Sequence, residues 1–231
     1  MKNRNPATPL RTKVRSLVIV GMMAALTMVM ALTPLGFLRL PLISITLLHL
    51  PTIIITILEG PWMGMATGLM FGLASWYNAA TTAGLLNVFF LNPVISVLPR
   101  LIIAPVTWAV YRGMCKLFKK GRQVLPIAVS AVVGTLTNTV GVLGLLYVVY
   151  AQDIVTRFAA LAGENAAAGA AVAQYGMLQD PFQGVALFLW ATVVTNAIPE
   201  CAVAVIAAIP VILAVRKLDR TPTALMRRQA R

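Results

Sequence analysis

An all-α integral membrane protein of six transmembrane helices, with both termini cytoplasmic, is the fold this sequence predicts. Three observations predict it. Of 231 residues 59% are hydrophobic and 11% charged, with a mean hydropathy of +0.86, against about 45–50% apolar and about 25% charged in a soluble domain. Uncharged runs recur at lengths that cross a bilayer, for which a helix needs roughly 20 apolar residues over about 30 Å. The basic residues fall into three clusters separated by pairs of such runs. A soluble enzyme and a disordered chain are excluded. The net charge of +13 would suggest nucleic acid on a soluble chain; its clustering at span ends points instead to topology and lipid headgroups.

The elements follow in order. Residues 1–15 read as a basic cytoplasmic tail, 16–215 as the membrane domain, and 216–231 as a second basic tail. Ser16–Leu38 is uncharged and is expected to be the first span; it exceeds the 7–15 apolar residues of a secretory signal and no small-x-small cleavage site follows. Leu40–Leu58 is expected to be the second, closed by Glu59-Gly60-Pro61. Gly60 to Pro99 holds forty residues without a formal charge, too many for one crossing. The patch from Asn78 to Gly84, with Asn87, divides it into a third span over Trp62–Tyr77 and a fourth over Val88–Tyr111. The fifth lies in Gln123–Gln152 and the sixth in Phe182–Val215. Between them, 151–181 is expected to be an outer segment. Its Ile154, Val155, Phe158 and Leu161 fall at helical spacing, which suggests a short amphipathic helix at the surface.

Orientation follows from charge. Five basic residues precede the first span, five lie around the fourth-to-fifth connection and six follow the sixth, sixteen of the nineteen. Six spans put all three clusters on one face, and the positive-inside rule makes that face cytoplasmic.

In so apolar a chain the informative residues are the polar ones inside the membrane, each costly unless it faces protein or water. Arg100 and Glu200 lie near the middle of the fourth and sixth spans. They are expected to pair with each other, to leave Arg100 facing a cavity and an anionic substrate group, or to leave Glu200 as a proton carrier, since an isolated Arg costs about 2.5–3.5 kcal/mol at the bilayer centre. His49, the single histidine, sits in the outer half of the second span. Arg39 precedes it, Asn78 and Asn92 flank the outer end of the third and fourth spans, and Thr135, Thr137, Asn138, Thr139, Thr195 and Asn196 fall about halfway along the fifth and sixth. Interhelical hydrogen bonds explain some of these; a polar pocket opening outward would account for them together. No metal site or cofactor is expected, because one histidine and the two cysteines, Cys115 and Cys201, cannot supply a ligand set. An intramembrane protease lacks its motifs: there is no His-Glu-x-x-His, and Ser44 and Ser75 lack a nucleophile-elbow setting. A self-powered secondary transporter would show inverted repeats, and the two halves share no similarity. Small residues recur at four-residue spacing in the first span (Gly21, Ala25) and in the third (Gly60, Gly64, Gly68, Gly72). The latter is expected to pack within the protein and the former to face lipid or a partner.

The ordered motifs Ala24-Ala25-Leu-x-x-Val29, Thr33-Pro-Leu-Gly-Phe37, Ile45-Thr-Leu-Leu-His-Leu-Pro51, Glu59-Gly-Pro61 with Gly64, Gly68 and Phe71-Gly72, Leu91-Asn-Pro93, Leu98-Pro-Arg100 and Gly134-Thr-Leu-Thr-Asn-Thr139 resemble the substrate-binding S component of energy-coupling factor (ECF) vitamin transporters, over about residues 15 to 215. The resemblance implies a six-helix protein of the bacterial plasma membrane that captures a vitamin from outside with high affinity and hydrolyses no ATP. It implies docking through small residues of the first helix, here Gly21, Ala24 and Ala25, onto a transmembrane coupling subunit that carries two ATPase subunits. It places the substrate in the outer half, under the loop Pro34–Pro41. Arg39, His49, Asn78, Asn92, Arg100, Asn138 and Asn196 match the family's site by region only. Pro34-Leu-Gly36 with Thr46-x-x-His49-x-Pro51 is most similar to the pantothenate branch, whose substrate carries one carboxylate, two hydroxyls and an amide; riboflavin or a pyridoxine-like compound stays open.

Overall fold

A computed structural model describes residues 9–33, 36–39, 44–82, 84, 86–118 and 123–229; at 9–13, 15, 37–39, 44–45 and 218–229 it describes the backbone alone. The start of the basic N-terminal tail, both ends of the Pro34–Pro41 loop, and Lys119, Lys120 and Arg122 lie outside the described residues. The described chain is helical apart from one small hairpin. Helix α1 spans Pro9–Leu32, strands β1 and β2 are Phe37–Arg39 and Ser44–Thr46, and α2 is His49–Glu59. Then come α3 (Pro61–Thr81), a 3-10 turn (Asn87–Leu91), α4 (Pro93–Leu117), α5 (Val124–Leu161), α6 (Ala166–Tyr175) and α7 (Pro181–Gln229). Three of these, α4, α5 and α7 (as far as Lys217), are long and apolar enough to cross a membrane, while the apolar helical stretches Ser16–Leu32 and His49–Glu59 are shorter.

Two expected spans are corrected. The first helix ends at Leu32, not Leu38; Thr33 precedes Pro34, and a residue before proline is pushed out of the α region. The second is not helical from residue 40. The backbone pairs as an antiparallel hairpin, Phe37 with Thr46, Leu38 with Ile45 and Arg39 with Ser44, and helix begins only at His49. With eleven residues, α2 is about 16 Å long, half a bilayer. Nine of its residues, His49 to Ile57, are buried, and it is walled by α1, α3, α4, α5 and α7. A helix apolar on every side belongs inside other helices. At its end Gly60 takes φ +100 and ψ 177, a conformation essentially confined to glycine, and Pro61 restarts the chain as the first residue of α3.

The glycine ladder of α3 packs as expected. A Cβ at Gly64 would collide with Thr56, one at Gly68 would stand 2.5 Å from the Arg100 carbonyl oxygen, and one at Gly72 would stand 2.9 Å from Val97 Cα. These glycines let α3 lie against α2 and α4 with backbones nearly touching.

Helix α5 continues past the expected end of its span, bending at Tyr150, whose φ −129 and ψ 17 are not helical. Ile154, Val155 and Phe158 turn inward onto the protein itself. They are buried with Ala168, Val172, Val185 and Phe188 in a core shared by the end of α5, α6 and the start of α7, with Phe158 edge-on to Phe188 at 5.4 Å. Asn165 caps α6 by accepting from the amides of Ala167 and Ala168, and Gly176 closes it in the left-handed conformation. At the opposite, basic end the interior is mostly apolar: Ile57, Ile127, Ala131, Ala204, Ala208 and Ile212 are all buried, with the hydroxyls of Thr56, Thr107 and Ser130 among them. Arg216 ties that end together, donating to Tyr111 Oη at 2.8 Å, to the Ile57 carbonyl at 3.3 Å and to Gln123 Oε1 at 3.5 Å.

Candidate functional site

A polar cluster lies in the hairpin half of the bundle, where α2 begins. Its cation is Arg100 on α4, buried at 4% exposure. Proline places its first partner. Pro99 sits inside the helix and has no N–H, so the carbonyl four residues earlier, on Ile95, loses its helical donor. Arg100 Nη1 donates to that carbonyl at 2.7 Å. Nη2 donates to Ser75 Oγ of α3 at 3.1 Å, and the guanidinium lies over the rings of Phe71 and Phe90, at 5.2 and 5.5 Å. Its Nε is buried without a hydrogen-bond partner.

Glu200 on α7 is the anion, 2% exposed. Its Oε1 accepts from the backbone N–H of Thr46, at the end of the hairpin, at 2.8 Å. Oε2 accepts from Thr139 Oγ1 of α5 at 2.9 Å. Charge-assisted hydrogen bonds of this kind are the strong ones. The expected Arg100–Glu200 pair is therefore resolved differently. Among the described residues they make no direct ion pair, and neutral groups hold each in place.

His49 is the first residue of α2 and fully buried. Its Nε2 is 3.1 Å from Thr135 Oγ1 on α5, a hydroxyl that also reaches the Ala131 carbonyl at 2.9 Å. Its Nδ1 is buried without a hydrogen-bond partner. Asn138, beside Thr139 on α5, is 3% exposed with Oδ1 unpartnered. Asn196, 4% exposed, lies one helical turn before Glu200. Thr52 and Thr107 also bury hydroxyls without partners. Each such atom costs about 1–3 kcal/mol, and a native interior holds few of them unless water or a ligand completes them. Arg100, His49 and Asn138 are the expected site residues whose buried polar atoms await completion.

The structure engages two candidates elsewhere and leaves the side chain of a third undescribed. Asn92 caps α4, its Oδ1 accepting from the Val94 amide at 3.0 Å, while its Nδ2 donates to Tyr150 Oη at 3.1 Å. Asn78 is half-buried and accepts from Thr82 Oγ1 at 2.9 Å through Oδ1, closing α3 locally. Arg39 ends β1, and its side chain lies outside what is described. Sequence reasoning missed Ser75 as the support of Arg100, and Thr46, which acts through its backbone. The Asn92-Pro93 pair carried a legible signal, since proline favours the first helical position after a capping residue.

On α1, Gly21 and Ala25 are exposed and Ala24 is half-buried; a Cβ on Gly21 would meet nothing within 4 Å. Thr27 and Ala31 of the same helix are buried, so the small residues are open to lipid or a partner. No individual curated protein matches the chain. A family profile does, described as ECF transporter, substrate-specific component, and it covers residues 15–212, a stretch that includes the exposed face of α1, the hairpin, and both buried charges. With three helices long and apolar enough to cross a membrane and buried polar groups between them, the chain belongs to the ECF transporter substrate-specific component family.

Proposed function

We propose that this chain captures a water-soluble vitamin from outside the cell with high affinity, and that the vitamin carries a carboxylate. Pantothenate is the favoured substrate. The observation that supports the reading is Arg100, a cation buried inside a membrane bundle with a free Nε and no carboxylate at ion-pair distance among the described residues. A buried charge is normally paired, and a guanidinium is shaped for bidentate contact with a carboxylate. Asn138, Asn196 and His49 supply donors and acceptors for hydroxyls and an amide. A pyridoxine-like substrate is the second reading, favoured by the aromatic faces of Phe71 and Phe90 beside the cation.

In this reading the protein crosses the membrane six times, with α2 and the hairpin together forming the second passage, and both termini are cytoplasmic. Uptake needs a transmembrane coupling subunit with two ATPase subunits, docked on Gly21, Ala24 and Ala25. The test is calorimetric titration of pantothenate into the purified chain and into Arg100→Ala. Loss of one charged contact costs about 2–5 kcal/mol, so the dissociation constant should rise at least about 30-fold. Equal affinity in the two proteins, both folded, would reject the site.

A further inference from the structure

We infer that Glu200 is the second pole of the binding site: it receives the hydroxyl or protonated-nitrogen end of a small solute whose anionic end sits at Arg100. The inference rests on the reading of Arg100 as an anion anchor and extends it to the whole charge pattern of the ligand.

Two opposite charges buried in one low-dielectric interior gain energy by closing to direct contact. Here they do not close. Arg100 is held back by the Ile95 carbonyl that Pro99 frees, by Ser75 and by two aromatic rings. Glu200 is held by Thr46 from the hairpin and Thr139 from α5. The two scaffolds lie on different helices, and each fixes its charge apart from the other while leaving capacity unused. The guanidinium keeps its Nε free. The carboxylate offers about four lone-pair directions and has one described donor on each oxygen. An amphoteric ligand that presents an acceptor to one and a donor to the other uses both capacities at once. A monoanion without donors would bring a second negative charge towards Glu200, and a simple cation would bring a second positive charge towards Arg100. Both are disfavoured by like-charge proximity. The matching class is a solute with an anionic or strongly electron-rich group at one end and hydroxyls or a protonated nitrogen at the other.

The test uses the full chain purified in detergent, with Glu200→Gln and Arg100→Gln. Glutamine keeps an acceptor for the Thr46 amide and can still hydrogen-bond Thr139, so the charge is removed and the shape retained; equal melting temperatures without ligand verify this. Four probes are titrated: pantothenate (carboxylate with hydroxyls), pyridoxine (ionisable phenol and pyridine nitrogen), thiamine (cation) and riboflavin (no acidic group of carboxylate strength). The wild-type chain is expected to bind pantothenate or pyridoxine, and each Gln variant is expected to bind that probe at least tenfold more weakly. Glu200→Asp, which keeps the charge, should retain more affinity than Glu200→Gln; the reverse order overturns the inference. Loss in Arg100→Gln with Glu200→Gln within twofold of wild type rejects the second pole and leaves the anion anchor standing. Wild-type affinity in both variants rejects both, as does a wild-type chain that prefers thiamine or riboflavin or binds none of the four.

Discussion

Replacing Asn92 by alanine should destabilise the protein and leave its substrate affinity intact, because this side chain is fully occupied at a joint of the fold. Its Oδ1 caps α4 through the Val94 amide, and loss of such a cap costs about 0.5–2 kcal/mol. Its Nδ2 reaches Tyr150 at 3.1 Å, the residue at which α5 bends, and loss of that hydrogen bond costs about 0.5–1.5 kcal/mol. Together these predict a loss of about 2 kcal/mol, or about 4–8 °C in melting temperature for a chain of this length. Tyr150→Phe removes the second contact alone and keeps the ring against Phe89, 5.0 Å away between centroids. It should therefore cost about half as much, and the double mutant should match Asn92→Ala because the shared bond is already gone. The assay is thermal unfolding in one detergent, with ligand titration at a temperature where every variant is folded. An unshifted melting temperature with weakened binding in Asn92→Ala would refute the reasoning and return Asn92 to the site.

Three further outcomes are expected. Gly68→Ala should lower the melting temperature although alanine is the better helix former by about 1 kcal/mol. The added Cβ would stand 2.5 Å from a backbone carbonyl, and such overpacking costs about 1–3 kcal/mol; Gly21→Ala, which meets nothing, should not lower it, and a stabilised Gly68→Ala would show that α3 and α4 are not in contact there. Arg216→Met should cost about 2–3 kcal/mol in thermal unfolding, because it removes the hydrogen bonds to Tyr111, the Ile57 carbonyl and Gln123 and a cation–π contact at 5.5 Å; no change would show the clamp to be idle. Ala25→Trp should bind substrate as the wild type does and abolish uptake by whole cells, since it adds bulk to an exposed position of α1; retained uptake would reject docking on this face.

Much of the helical layout was legible because transfer free energy acts on whole runs of residues. The uncharged stretches located α4, α5 and α7, and the glycine spacing located the α3 contact. The hairpin was not legible: an apolar window around Ser44–Thr46 reads alike as strand or helix, and pairing with Phe37–Arg39 is a non-local choice. Nor did helical spacing say what Ile154 and Phe158 would pack against, since α6 and the start of α7 must be placed first. The buried charges were conspicuous as costs, but their partners were not. Charge suggested that Arg100 and Glu200 seek each other, whereas the groups that hold them are a carbonyl freed by Pro99, a backbone amide at Thr46 and two hydroxyls. Backbone groups carry no signature in the amino-acid alphabet, so only coordinates reveal them.

The apolar floor beneath α2 has a transport consequence. Ile57, Ile127, Ala131, Ala204, Ala208 and Ile212 are buried in the basic half of the interior, so on the proposed reading a hydrophilic cargo held at Arg100 would meet a mostly apolar wall on the way to the far side. A binder built this way would be a cup and not a conduit. In that reading cargo would leave through the rim by which it entered, so delivery to the far side would require the rim itself to change sides, with the work for that tilt supplied by another protein.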